Sequence, residues 1–375
     1  MPPTVTPPPR LNIPNSESIV NVHIINTTSR ITKIPFSIFT TPSYKGLDYL
    51  DCPSFSFLIE HASSGRKLLF DLGVRKDWEN MPMVIVQRIK DGAWKVTVEK
   101  GVAEILQEGG VAPKDIEAII WSHHHWDHTG DPSTFPTSTD LIVGPGFEDS
   151  FVPGYPENPE ASISKSAYEG RHLHEISFAE SKLVLGRCNA VDFFGDGSFY
   201  LLDTPGHAVG HLCGLARTTA SPEATFIFLG GDCAHHGGEF RPTQYLPLPE
   251  SLSPSPIPRT HPGLCPGALF ADIHRLHPSS SSSTEPFFLA SEDGAHDVKA
   301  ARDSVTKMGD FDAHGNILTM IAHDDTMINV VGTFPKTSAN NWKSKGWREK
   351  GMWKFLGDLR EAVEGKEGGT EGRTS

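Results

Sequence analysis

The residues best suited to chemistry stand in one run, Ser122-His123-His124-His125-Trp126-Asp127-His128, directly after the apolar stretch Ile116-Glu117-Ala118-Ile119-Ile120-Trp121. His123, His125, Asp127 and His128 put four nitrogen and oxygen donors within six residues. Side chains alternate along extended backbone, so His123 and His125 lean the same way from a strand that ends here. As the chain turns, Asp127 and His128 come round to a neighbouring point. Imidazoles and a carboxylate gain nothing from such crowding unless a cation holds them, and first-row metals favour these donors. Two adjacent ions explain the spacing better than one. His124 is expected to point away from them. Chance clustering among 18 histidines is the rival account, but it does not explain the strand before and the turn after.

The elements that must position these donors follow from pattern. Strand candidates are Val20-Asn21-Val22-His23-Ile24-Ile25, Ser54-Phe55-Ser56-Phe57-Leu58-Ile59 and Lys67-Leu68-Leu69-Phe70, the last two joined as a hairpin through Ser63-Ser64-Gly65. Residues 75–98 read as a lid or helical insertion, and residues 102–106 as an amphipathic helix closed by Gly109-Gly110. Gly195-Asp196-Gly197 marks a second hairpin between Asp192-Phe193-Phe194 and Ser198-Phe199-Tyr200-Leu201-Leu202. Two runs of strands, each followed by helix, suggest two sheets face to face with helices outside.

Further segments complete a pattern. Lys67-Leu68-Leu69-Phe70-Asp71-Leu72-Gly73, Thr204-Pro205-Gly206-His207-Ala208-Val209-Gly210-His211, Phe226-Ile227-Phe228-Leu229-Gly230-Gly231-Asp232 and Ile317-Leu318-Thr319-Met320-Ile321-Ala322-His323-Asp324 flank the histidine run in order. Together with it they resemble the metallo-β-lactamase superfamily over roughly residues 20 to 330. The resemblance implies an α/β fold, an αββα sandwich of two mixed β-sheets flanked by helices, with metals at one edge. It implies one zinc ion on His123, His125 and His207, a second on Asp127, His128 and His323, and Asp232 shared between them. This set is similar to the lactonase and glyoxalase II side of the superfamily, since β-lactamases usually carry cysteine or histidine at the Asp232 position. Cys233 is a decoy, turned away by strand alternation. Asp71 resembles the carboxylate that orients a histidine ligand. His211 is expected to pack or hydrogen-bond nearby. His235, His236 and Tyr245 are candidates to meet the substrate.

Two cations sharing a water lower its pKa and polarise a carbonyl, so the implied reaction is attack of metal-bound hydroxide on an ester, thioester, lactone or amide. Asp127 and Asp232 are the candidate catalytic residues, shuttling the proton to the leaving group. The favoured expectation is a zinc-dependent hydrolase that opens a lactone or lactam ring of a small molecule such as a secondary metabolite, plant toxin or signalling lactone. A thioesterase of the glyoxalase II or polyketide-releasing type is the alternative, though Lys343-Ser344-Lys345-Gly346-Trp347-Arg348 is only a faint echo of a basic glutathione patch. A non-haem iron oxidoreductase is the alternative of another class.

The net charge of −13 argues against nucleic acid, whose phosphates need a basic partner. No run of 18 apolar residues predicts a membrane span, and five scattered cysteines suit a reducing cytoplasm. The partner expected is a small-molecule substrate. At 375 residues the chain suits one catalytic domain, residues 19–362, between a flexible Pro-rich tail at 1–18 and a polar tail at 363–375. A Pro/Ser-rich insertion at 240–288 is expected to form a substrate loop near Asp232, a short helix at 268–274, and disorder around Ser279 to Ser283. Trp342, Trp347, Trp353 and Phe355 are expected to dock on the domain.

Overall fold

A computed structural model describes residues 6–371. The apolar runs form twelve principal strands, numbered here along two sheets. The first sheet holds β1 (Val20–Asn26), β2 (Phe55–His61), β3 (Lys67–Phe70), β4 (Ile116–Ile120), β5 (Asp140–Val143) and β6 (Leu173–Glu175), side by side in that order. β1, β2 and β3 pair antiparallel, whereas β3, β4, β5 and β6 run parallel. The second sheet holds β7 (Val184–Leu185), β8 (Cys188–Asp192), β9 (Phe199–Asp203), β10 (Leu212–Arg217), β11 (Phe226–Leu229) and β12 (Ile317–Met320). It is antiparallel except for the final β11–β12 pair. Both expected hairpins are present, β2–β3 and β8–β9.

Strand alternation sorts the apolar residues into layers. Phe57, Phe70 and Ile120 of the first sheet meet Leu201, Ile227 and Met320 of the second in one central core. Leu58, Leu69 and Ile119 face outward onto Val102 and Leu106 of the helix Val102–Glu108. Leu202, Leu215 and Phe228 face outward onto Val305, Met308 and Phe311 of the helix Val298–Asp312. The αββα layering expected from the pattern is what forms. A third, three-stranded sheet of Arg30–Pro35, Tyr49–Cys52 and Lys95–Thr97 carries the helix Met83–Asp91 from the expected lid region.

Several expectations about the periphery are corrected. Residues 1–5 and 372–375 lie outside the described residues, but residues 6–18 are not a loose tail. Leu11 is buried, its carbonyl accepts from Gly186 N–H (2.7 Å), and Pro14 O accepts from Arg217, which is itself buried. Residues 363–371 belong to a helix, Arg360–Glu371, anchored by buried Val363, rather than to a polar tail. The serine run forms a 3-10 turn, Ser280–Ser283, with Ser282 buried. Its neighbours Phe270, Phe287 and Phe288 are fully buried against Phe355 and Leu359, which is what orders a segment of this composition. The short helix appears at Ala268–Ile273. Trp342, Trp347 and Phe355 dock into the protein as expected, and Trp353 packs partly buried beside them.

Candidate metal centre

β4 is parallel to both neighbours and buried, so its carboxyl end opens at the rim of the sheet, where the chain breaks into the histidine run. A short helix, Trp126–Thr129, then turns Asp127 and His128 back toward His123. Asp71, at the end of β3, fastens this turn. It sits at φ +59°, and its Oδ1 accepts Ser122 N–H (2.6 Å) while Oδ2 accepts Ser122 Oγ–H (2.8 Å) and faces His128 Nδ1 (2.9 Å). That bond holds the proton at His128 Nδ1, donated to Asp71, and turns Nε2 toward the centre as the ligating nitrogen. His323 is oriented likewise, with Nδ1 donating to Pro53 O at 2.7 Å.

The second sheet delivers the remaining donors. His207 follows β9 through Gly206, whose φ of +127° lets the turn close on the helix behind it; a Cβ there would lie 2.0 Å from Ala301 N. Asp232 follows β11 through Gly231, where a Cβ would meet Ser122. Asp232 N–H donates to His211 Nε2 (3.1 Å), whose Nδ1 lies 3.1 Å from Thr204 O. His211 is thus a bracket for Asp232, as the sequence suggested.

These segments converge into two groups of donors, His123, His125, His207 and Asp232 in one and Asp127, His128 and His323 in the other. His207 Nε2 lies 3.2 Å from His123 Nε2 and 3.0 Å from His125 Nδ1. His323 Nε2 lies 3.3 Å from His128 Nε2 and 3.4 Å from Asp127 Oδ2. Asp232 spans the groups: Oδ2 is 3.5 Å from His207 Nε2, and Oδ1 is 3.1 Å from both His128 and His323 Nε2. All seven candidate residues of the sequence reading are brought together.

The electrostatics suit cations. Burial, then the neighbouring imidazoles, hold His123, His125 and His207 well below the usual histidine range, so their lone pairs are free. Burial opposes charge on His128 too, yet Asp232 and Asp71 raise it to about 10, and Asp232 raises His323 likewise. Burial disfavours the Asp232 carboxylate, while His128 and His323 hold it well below the ordinary range. A buried anion that draws protons onto its neighbours is one that a divalent cation satisfies instead. Asp232 Oδ1 has no hydrogen-bond partner. The donor set therefore fits metal.

A cavity of about 540 Å³ opens over His125, His207, Asp127 and Asp232, walled by Phe39, Trp94, Trp126 and Phe151. His124 turns from the donors, as expected, but onto Phe151 (ring centroids 4.0 Å), at the wall of this cavity. The expected substrate loop at 240–288 contributes nothing to this lining. Residues 293–296 do so instead, tied to the His207 turn by His296 N–H to His207 O at 3.0 Å. Tyr245 lies elsewhere, lining a separate cavity of about 330 Å³ beside Arg302 and Val305. Cys233 packs in the outer core with Cys213, not in either donor group.

His235 and His236, left open by sequence, separate here. His236 faces outward, with Nε2 3.2 Å from Asp358 Oδ2. His235 faces inward, with Nε2 3.3 Å from Asp232 Oδ2. Its position three residues after Asp232 was the only sequence signal.

Two six-stranded sheets edged by a histidine–aspartate centre define a class of metal-dependent hydrolase, and comparison with known proteins agrees. The Metallo-beta-lactamase superfamily profile matches residues 49–217. Gamma-lactamase FDB1 of Fusarium pseudograminearum is 48% identical over 359 residues, covering 94% of this chain and 85% of that protein. Metallo-hydrolase mfmC of Annulohypoxylon moriforme is 44% identical, covering 96% and 93%. A point mutant of B. thuringiensis AiiA, solved with N-decanoyl-L-homoserine bound at its active site, superposes with a TM-score of 0.55 at 18% identity, covering 85% of this chain and 99% of that one. The chain belongs to the metallo-β-lactamase superfamily. Within it, the chain is a metal-dependent hydrolase. Among the described residues no helix is long and apolar enough to cross a membrane.

Proposed function

We propose that this protein is a dinuclear zinc hydrolase that opens a lactone or lactam ring of a small molecule, such as a secondary metabolite, plant toxin or signalling lactone. One ion is held by His123, His125 and His207, the other by Asp127, His128 and His323, with Asp232 shared. The observation that carries this reading is the Asp232 carboxylate, which turns one oxygen to each donor group. When bound, the two cations polarise the substrate carbonyl and acidify water. The chain does the rest. The aromatic walls over the floor of the cavity bind an apolar ring and exclude bulk water, and Asp127, on that floor, takes a proton and returns it to the leaving ester or amide atom, with Asp232 beside it. The name of the gamma-lactamase relative supports the cyclic amide; the N-decanoyl-L-homoserine in the AiiA structure, the open-chain hydroxy acid that opening of a cyclic ester would leave, supports the cyclic ester. Against a glutathione thioester stands Arg348, whose guanidinium is buried on the carbonyls of Ile317 and Asp312. Buried, free thiols at Cys52, Cys188, Cys213 and Cys233 favour a reducing compartment, which we take to be the cytoplasm.

Metal analysis combined with a panel of lactones, lactams, linear esters and thioesters, before and after chelation, tests this. About two zinc ions per chain and chelator-sensitive ring opening are expected. One iron per chain with oxygen consumption and no hydrolysis would place the protein in redox chemistry instead. Asp232→Ala is expected to lower metal content and abolish hydrolysis; wild-type turnover in that variant would remove the dinuclear mechanism.

A further inference from the structure

Glu239 is only 2% exposed, yet among the described residues no salt bridge reaches it. The other buried carboxylates outside the metal centre are paired, Asp310 with Arg187 Nε at 2.7 Å and Asp312 with the fork of Arg241. Glu239 Oε1 instead accepts two backbone N–H groups, from His235 at 2.6 Å and His236 at 3.0 Å. Its Oε2 has no hydrogen-bond partner among the described residues. Burial, above all, pushes this carboxyl above its ordinary range. A buried acceptor short of donors is costly, and one kept in that state calls for a donor from outside the chain.

Such a donor has room. Glu239 lines the cavity of about 330 Å³ that also holds Tyr245, and none of the seven metal donors does. That volume falls within the range of small-molecule sites, which begins at roughly 300 Å³. Phe240, Leu289 and Val305 give the cavity an apolar body. Arg302 lines it too, with Nε (3.0 Å) and Nη2 (2.8 Å) both spent on Ala290 O. Its Nη1 has no partner and its charge no carboxylate among the described residues. An acceptor and a cation around one apolar cavity fit an amphipathic molecule with a hydroxyl or ammonium for Glu239 and a carboxylate for Arg302. Ring opening makes that kind of molecule: water added across the cyclic C–O or C–N bond leaves a carboxylate at one end and a hydroxyl or amine at the other.

The cavity also bears on the metal donors. Glu239 holds the turn that follows Asp232. The helix Val298–Asp312, which carries Arg302, holds the His207 turn through Ser304 Oγ–H to Pro205 O (2.7 Å) and, at its cap, Asp297 N–H to Gly206 O (2.8 Å). We propose that this cavity is a second small-molecule site, specific for an amphipathic hydroxy or amino acid, and that the ring-opened product occupies it and slows the enzyme. Occupancy by product rests on the hydrolase reading above; the site itself does not. A ligand that draws Glu239 away from the His235 and His236 N–H groups loosens the turn behind Asp232, and so lowers turnover without competing at the metals.

Calorimetric titration of the holoenzyme tests this, with melilotate, the open hydroxy acid of dihydrocoumarin, and with hydrocinnamate, which lacks the hydroxyl. Wild type is compared with Arg302→Gln and Glu239→Gln, and circular dichroism checks folding. Wild type is expected to bind melilotate at a site that both variants weaken roughly 10- to 100-fold, and to bind hydrocinnamate there about 10-fold more weakly. During turnover of dihydrocoumarin, added melilotate is expected to lower kcat in wild type but only to raise KM in Arg302→Gln, whose uninhibited turnover stays at the wild-type level. Isotherms unchanged in both variants, or inhibition of wild type that raises KM alone, would overturn the proposal and leave the two-metal hydrolase intact. Melilotate binding that Arg302→Gln removes, in a protein that opens no ring, would uphold the site, overturn its occupancy by product and sink the hydrolase reading.

Discussion

Asp71 is the residue whose role was hardest to weigh from the sequence, since a strand-terminal aspartate is commonly only a turn former. Its two oxygens, spent on Ser122 and His128, decide the matter. Asp71→Asn keeps a side chain tolerant of the left-handed backbone but removes the charge that orients His128. The expected result is a 10- to 100-fold loss of metal affinity or activity, roughly, with the fold retained, measured by metal competition. Gly206 makes a different demand. Gly206→Ala drives a methyl into the backbone of Ala301 at φ +127° and displaces His207. We expect a loss of about 1–3 kcal/mol in urea unfolding together with less bound metal per chain. Both residues were visible in the sequence as motif members. The inward aim of His235 was not, because the two adjacent histidines 235 and 236 differ only in the partners that tertiary structure gives them.

At the scale of elements, strands and hairpins were legible wherever alternation or a Gly-Asp-Gly turn marked them, as at β8 and β9. The insertion at 240–288 was misread because composition describes a segment alone, whereas Phe270, Phe287 and Phe288 are ordered by the C-terminal helix they meet. Arg241, at the start of that insertion, forms a buried fork with Asp312 (2.7 and 2.6 Å) and donates to Met352 O at 2.7 Å. Insertion, helix end and C-terminal segment thus share one ion pair. Burial disfavours the Asp312 carboxylate, but Arg241 holds it below its ordinary 3.8. A depressed carboxylate stabilises fully above its unfolded pKa, and the contribution is lost as pH falls through the lower folded value. Asp312→Asn, which leaves Arg241 buried and unpaired, is expected to cost about 3–5 kcal/mol at neutral pH by chemical denaturation. The penalty should shrink below pH 3.8, as the wild type itself loses the carboxylate.

For the whole molecule, the centre is assembled from both sheets, with His123 and His128 after β4 and His207, Asp232 and His323 after strands of the other. Ions that bind only this assembled state add RT ln(1 + [L]/Kd) to stability, about 2.7 kcal/mol at a hundredfold excess over Kd. Chelation is therefore expected to lower the unfolding temperature by several degrees, and added zinc to restore it; a Tm indifferent to metal would contradict a centre that staples the two sheets. The layered architecture was legible because two runs of strands, each followed by helix, suggest two sheets face to face and the ordered motif segments resemble a superfamily with that layering. Which loop closes over the metals was not: residues 293–296 carry no compositional mark and are placed by their bonds to the His207 turn.

The strap of residues 6–18 has a consequence for synthesis. Its partners are Gly186, Arg217, Gln244 and, through Pro9 O, the ring of His314. At about 5–20 residues per second, roughly 15–60 s separate the translation of Pro9 from that of His314. A segment translated well before its partners is thus among the last to find its place. Until then Leu11 and the neighbouring β1, whose Val22 N–H waits for Asn340 Oδ1, stay without their native cover.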